Sequence, residues 1–397
     1  MDVHLVEAFA EDPLRGLPEP GSGAVPPVRL AWAAPHVVML DGYRGVPRTD
    51  GTSSHRSSLV DQIDWETTAG LRRRLDRLGL GVAEAMDTAQ RSQIGWTCAR
   101  RLIESTASLE TGLPFVAGAG SDSLPPAAAR PGMDRIVEAV VEQAKMIRDC
   151  GGIPILLPIE SLVASRSSAD TYVEVYGEIL DALEGPVLIH WLGSMFAPKL
   201  DGYFPEDSFE RVMRRDPEKI RGAKLSLLDA EREREIRRVL ARNGQFVLTG
   251  DDYNFVDLIE GETGPSGPEA ELAGRRFSVG TFSHALLGVL DAVARPAAAA
   301  LEALARGEVE LYQTLLRPCE EFARVAFEPP VPSYKASLAF ITYLDGLQPN
   351  PMVVDHLEES RSKEHYLRAA ELAARAGAFV DPGAAFERLR SWAAATG

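Results

Sequence analysis

Residues 221–229 read RGAKLSLLD, an apolar run with one lysine in its middle. In an extended chain, alternation puts Lys224 and Ser226 on one side and Ala223, Leu225 and Leu227 on the other. An ammonium removed from water carries a large desolvation cost. Such a position therefore marks either a strand whose polar side opens into a cavity or a strand end that snorkels to solvent. The pattern of the surrounding chain favours the cavity.

Working outward, short apolar segments recur at RLAWAAPHVVML (29–40), LGLGVAEAM (78–86), LPFVAGAG (113–120), GIPILLPIE (152–160), GPVLIHWLG (185–193), GQFVLTGDD (244–252) and RRFSVGTFS (275–283). Most are continuous rather than alternating, as expected of strands covered on both faces. Between them lie stretches with apolar residues three or four apart: TTAGLRRRLDRL (67–78), DRIVEAVVEQAKMIRDC (134–150), SADTYVEVYGEILDAL (168–183) and DAEREREIRRVLARN (229–243). Asp134, Ser168 and Asp229 stand where N-caps belong. Strand then helix, repeated to eight candidate strands, predicts an α/β fold: a (β/α)8 TIM barrel over residues 29–295.

In such a barrel the polar residues at the strand C-termini share one rim, where chemistry sits. Here they are Asp41, Asp87, Ser121, Asp122, Glu160, His190, Asp251, Asp252 and His284. After the eighth segment the pattern turns all-helical, which predicts a C-terminal helical subdomain over 296–397. Residues 1–28 carry Pro13, Pro18, Pro20, Pro26 and Pro27 and read as an N-terminal arm, extended or a β-ribbon. PPAAARP (125–131) reads as a loop.

The chain has 397 residues, 45% apolar and 25% charged, within the range of ordinary globular proteins. With 58 acidic against 42 basic side chains its formal charge is −16, which argues against nucleic-acid or membrane-surface partners and for a small-molecule substrate. Arg72, Arg73 and Arg74 read as a solvated helix face. Cys98, Cys150 and Cys319 lie far apart without CxxC spacing, so neither a zinc site nor a disulfide framework is expected. The acidic N-terminal stretch lacks a signal-peptide pattern, and no apolar run approaches the roughly 18 residues of a membrane span. A cytoplasmic location is the expectation.

A lysine on the interior side of the sixth strand would have a depressed pKa, making its neutral amine a competent nucleophile toward a carbonyl. His190 closes the neighbouring fifth strand and could move protons near neutral pH, or be an ordinary core histidine. GDDYNF (250–255) brings Asp251, Asp252 and Tyr253 to the rim, although two aspartates after a strand also form turns and N-caps. His36, His55 and His284 with Asp41 and Asp251 could hold a divalent metal, but no HxH spacing supports it.

With GAKLSLLD, VLTGDD and FEPPVPSYKASLAFITYLDG in view, residues 29–347 resemble the dihydrodipicolinate synthase and N-acetylneuraminate lyase superfamily of class I aldolases, as a divergent branch. The resemblance implies Lys224 as the Schiff-base lysine. It matches TGDD (249–252) to the family's Ser-Gly-Asp-Asp-like turn, AGAG (117–120) to its AGTG-like turn, and Pro332 with Lys335 to a C-terminal Pro and Lys pattern. His190 stands where the family carries a proton-relaying tyrosine. GVAEAMDTAQ (81–90) replaces a Gly-Thr-Thr-Gly-Glu-like loop that binds the carboxylate of pyruvate, and it brings Glu84 and Asp87 to that region. Carboxylate repulsion in a low-dielectric pocket points away from pyruvate, toward a polyhydroxylated keto compound.

The expectation is thus a Schiff-base aldolase or lyase that needs no organic cofactor and no metal. Lys224 and His190 are catalytic, and Glu84, Asp87, Ser226, Asp251, Asp252, Tyr253 and His284 bind substrate. The resemblance implies a homodimer or tetramer. Two alternatives are a metal-dependent sugar isomerase or epimerase using His36, His190, Asp251 and His284, and a non-catalytic barrel subunit.

Overall fold

A computed structural model of the chain describes residues 3–21, 27–48, 53–124, 132–262, 268–272 and 274–396. Its strands are β1 (Ala31–Ala33), β2 (Gly81–Glu84), β3 (Val116–Ala119), β4 (Ile153–Leu156), β5 (Val187–Leu192), β6 (Ile220–Ser226), β7 (Phe246–Thr249), β8 (Glu269–Leu272), β9 (Arg275–Ser278) and β10 (His284–Leu287). Eight of them close a barrel in the order β1-β10-β7-β6-β5-β4-β3-β2, every pair parallel. The predicted (β/α)8 architecture is therefore present.

Alternation divides each strand between two apolar layers. Trp32, Ala83, Val116, Ile155, Leu188, Phe246, Leu248 and Leu286 form the barrel interior. Val82, Ala117, Ile189, Ala223, Leu225, Val247 and Leu287 pack outward with the helices. Because Ala223 and Leu225 face out, Lys224 and Ser226 face in, and the Cα register sets His190, Lys224 and Leu248 side by side.

The helices form where apolar faces and caps agree. Helix Met133–Asp149 buries Ile136, Val140, Ala144 and Ile147 along one stripe. Ser168 caps helix Ala169–Asp181 by accepting from the Thr171 N–H, and Asp229 caps helix Ala230–Ala241 by accepting from the Arg232 N–H. Asp134 is no cap, since its helix starts one residue earlier, behind Gly132.

The last barrel strand lies beyond the expected one. RRFSVGTFS supplies β9, which pairs antiparallel with β8 in a hairpin outside the barrel. Ala270, Leu272, Phe277 and Val279 of that hairpin region join the interior layer and close the N-terminal end of the barrel. The eighth barrel strand is HALL, which read from sequence as the start of a helix.

The N-terminal residues differ from an extended arm or ribbon, because Val3–Ala8 form a helix and Phe9 stacks on Phe379 with ring centroids 5.2 Å apart. The stretch 125–131 lies outside the described residues. Arg72 and Arg74 are buried, so among the three arginines only Arg73 is solvated. Among the described residues five α-helices follow the barrel: Ala294–Ala305, Val309–Ala326, Tyr334–Leu344, Lys363–Arg375 and Pro382–Ala395. Among the described residues no helix is long and apolar enough to cross a membrane.

Candidate active site

Lys224 is 7% exposed inside the barrel, on the longest strand. Burial pulls its pKa well below the usual lysine range, while the negative charges of Asp252 and Asp87 oppose that shift. Gly250, after β7, is what makes room for it. A Cβ at that position would lie 2.9 Å from Lys224 Cε and 2.3 Å from Ser226 Oγ.

Asp252 is buried beside this lysine, with its Oδ1 accepting from the Val289 N–H at 3.0 Å. Burial pushes its carboxyl up, and the Asp251 and Asp87 charges add to the shift against Val289 and Lys224. A buried amine with a lowered pKa and a buried acid with a raised one thus lie within each other's field, the pairing from which proton transfers near neutral pH are built.

His190 is 1% exposed on β5, and its Nε2 is 3.2 Å from Ser226 Oγ. Burial, and then the Lys224 charge, hold its pKa well below 6.5, so the ring is neutral. Its Nδ1 is buried without a partner among the described residues. Such an atom costs free energy unless a ligand or water completes it, which fits a group that addresses substrate.

The C-terminal helices complete the mouth. Asp87, after β2, accepts from Lys335 Nζ at 2.9 Å and from the Tyr334 hydroxyl at 3.0 Å, and Tyr334 Oη lies 2.8 Å from Thr88 Oγ1. Tyr334 stacks on Phe327 with centroids 4.1 Å apart, and Phe196, from the loop after β5, meets both rings edge-on. Sequence reasoning did not place Tyr334, Lys335 and Thr88 in the site. The available signal was a lone lysine opening the otherwise apolar helix YKASLAFITYL.

Several expected site residues do other work. Glu84 faces outward, like Val82, and meets the Arg72 guanidinium through two 2.9 Å contacts; Thr106 Oγ1 and the Ala85 N–H also donate to it. Its charge is matched in the helix layer, away from the mouth. Asp251 accepts from the Tyr253 and Asn254 N–H groups and from Asn254 Nδ2, so it builds the turn. The Tyr253 hydroxyl donates to the Phe327 carbonyl at 2.8 Å and anchors the C-terminal region.

His284 is corrected outright. It is the first residue of β10 rather than a rim residue, its Nδ1 accepts from the Leu30 N–H, and Phe246, Phe277 and Phe282 surround its ring edge-on. His36 is at the rim, but Asp291 and Gln348 engage its two ring nitrogens at 2.5 Å and 2.6 Å. The side chain of His55 lies outside the described residues. His36, His190, Asp251 and His284 are therefore not assembled as the isomerase alternative requires. Among the described residues no group of three or more His, Cys, Asp or Glu side chains is placed to hold a metal ion.

Comparison with solved structures finds the same fold. A putative dihydrodipicolinate synthetase from Pseudomonas aeruginosa matches with a TM-score of 0.60 and 12% identity over 87% of this chain and 99% of its own. The sialic acid aldolase of Ruminococcus gnavus gives 0.58 and 15%, covering 88% of this chain and 98% of its own. A prophage protein of the dihydrodipicolinic acid synthase family from E. coli K12, solved in complex with pyruvate, gives 0.57 and 13%, covering 86% and 98%. No curated protein matches the chain in sequence. A family model described as "Protein of unknown function (DUF993)" matches residues 17–397, and the chain belongs to that family.

Proposed function

We propose that the protein is a Schiff-base-forming lyase of the aldolase type, acting on a small carbonyl compound, a polyhydroxylated keto compound rather than pyruvate. The observation that carries this reading is Lys224: a buried amine on the interior side of β6 with a lowered pKa, room reserved by Gly250, and Asp252 at its side. The similarity in fold to aldolase-type barrels supports it.

The neutral Nζ lone pair forms a bond to the carbonyl carbon while the π pair moves to oxygen and is protonated there. The carbinolamine hydroxyl then leaves as water as the iminium forms. When the bond between the α and β carbons breaks, its electron pair moves toward the iminium nitrogen and gives an enamine. The β-hydroxyl loses its proton and departs as a second carbonyl. His190, beside Lys224 in the strand register, and Asp252, whose charge acts on the amine, are assigned these proton transfers, and Ser226 is assigned to orient the imidazole. Asp87 and Asp252 supply carboxylate acceptors for substrate hydroxyls. The resemblance in sequence also suggests a homodimer or tetramer, which light scattering checks.

The test is borohydride trapping against a panel of keto-sugars, small hydroxy ketones and pyruvate, followed by intact-mass and peptide mapping. An adduct on Lys224 that is absent from Lys224→Ala is the expected result. Absence of any Lys224 adduct across the panel overturns the reading.

A further inference from the structure

The mouth contains an acid that takes no part in the proton transfers and yet is held by a cradle of its own. Asp87 Oδ2 receives both Lys335 Nζ and the Tyr334 hydroxyl, and the phenol in turn sits against Thr88 Oγ1. Lys335 is 1% exposed, so its ammonium depends on this carboxylate for a counter-charge. The cradle is rigid. Tyr334 is pinned by its stack on Phe327, and a Cβ at Gly288 would come within 3.0 Å of both the Tyr334 ring and Thr88 Oγ1. Gly288 directly precedes Val289, whose N–H holds Asp252 Oδ1. The cradle and the lysine's partner therefore hang from one short segment after β10.

We propose that Asp87 is a built-in anion seated in a carboxylate cradle made by Lys335, Tyr334 and Thr88, and that it is the specificity-determining residue that restricts the substrate to ketones with no carboxylate beside the carbonyl. This inference rests on the Schiff-base reading above.

An ammonium and a phenol converging on one oxygen form a donor pair suited to a carboxylate. Here the chain fills that place itself. A 2-oxo acid bound to Lys224 would carry its carboxylate one bond from the reacting carbon, into the field that Asp87 and Asp252 already exert on the Lys224 amine, while Lys335 is already engaged. A hydroxy ketone in the same place offers hydroxyl donors to those two acids. Selection thus works by repulsion as much as by attraction. Deleting the Asp87 carboxylate leaves Lys335 and Tyr334 free to receive an incoming one.

The experiment compares wild type, Asp87→Ala, Asp87→Asn and Asp87→Ala/Lys335→Met in borohydride trapping with dihydroxyacetone and with pyruvate, quantified on the Lys224 peptide. Wild type is expected to favour dihydroxyacetone by about tenfold or more, a ratio equivalent to one well-placed charge interaction. Asp87→Ala is expected to raise pyruvate labelling by a similar factor, and Lys335→Met in that background to abolish the gain. Formate added to Asp87→Ala should suppress the pyruvate label by refilling the cradle. If Asp87→Ala does not fold, the near-isosteric Asp87→Asn carries the same comparison through loss of charge alone.

Equal labelling of wild type by both probes overturns the inference and leaves the Schiff-base reading standing. So does a folded Asp87 variant that still takes dihydroxyacetone without gaining pyruvate. Failure of both probes to label Lys224 in every variant removes the parent reading and this one together.

Discussion

Lys224 and Asp252 shift each other in opposite directions, and the sign of each shift sets a pH profile. Burial first, and then the neighbouring acids in opposition, leave the lysine amine below its usual range. Trapping of a hydroxy ketone should therefore rise with pH and level off well below the pH of about 10.4 at which a free lysine loses its proton. Asp252 raises the lysine's pKa, so Asp252→Asn should move the plateau to still lower pH. A plateau that stays at the free-lysine value, or one that moves upward in the variant, contradicts this assignment.

At this scale the sequence was readable wherever period two applied. Lys224 and Ser226 share the interior side because Ala223 and Leu225 do not. Glu84 was misplaced for the same reason in reverse: Val82 faces outward, and so does the glutamate two residues later, toward an arginine on the preceding helix. Nothing local in the sequence names Arg72 as that partner, since the contact depends on how the helix docks.

Between elements, Glu233 is the acid to watch. It ties helix Ala230–Ala241 to β7 through the Thr249 hydroxyl at 3.0 Å and to the start of β10 through the Ser283 hydroxyl at 2.7 Å. Burial pushes its carboxyl up to about 8. An unfolded glutamate titrates near 4.3. Between about 4.3 and about 8 the unfolded chain sheds this proton while the folded chain keeps it. The stabilisation is complete below that window and is lost as pH rises through it, by at most about 1.4 kcal/mol per pH unit. The thermal midpoint of Glu233→Gln relative to wild type should accordingly climb from pH 5 to pH 8. A constant difference across that range would show the carboxyl to be ionised throughout.

The eighth strand was the element the pattern could not resolve. RRFSVGTFS does form a strand, so its β character was read correctly and its partner was not. HALLGVLDAVARP opens with the apolar run ALLGVL, and periodicity cannot separate a buried strand from a buried helix over so few residues. Moving the strand by these few positions carried His284 from the rim to the closed end of the barrel.

Across the whole molecule, the C-terminal region lines the candidate site, through Tyr334 and Lys335 on Asp87, and does more than pack beside the barrel. The Arg361 guanidinium donates to the carbonyls of Ala326, Glu328, Pro329 and Pro330, and so fixes the backbone between Phe327 and Tyr334. Arg361→Ala should lower Lys224 trapping several-fold and open a new proteolytic cut between residues 326 and 333. Arg361→Lys should not rescue either effect, because one ammonium cannot span four carbonyls. Unchanged trapping together with unchanged protease resistance would show that the cap holds without it. The sequence announced helices here but not their task, since delivery of Lys335 to Asp87 joins segments that only the closed barrel brings together.

One further contact spans almost the full chain. Phe9 lies on Phe379 and also meets Phe386 at 5.3 Å, so the segment after helix Val3–Ala8 closes against residues about 370 positions later in the sequence. During synthesis at about 5–20 residues per second, helix Val3–Ala8 waits for its partner while the whole barrel between them is made. The barrel can close while that segment is still undocked, and its arrival becomes a late event, a clasp fastened over a body already folded.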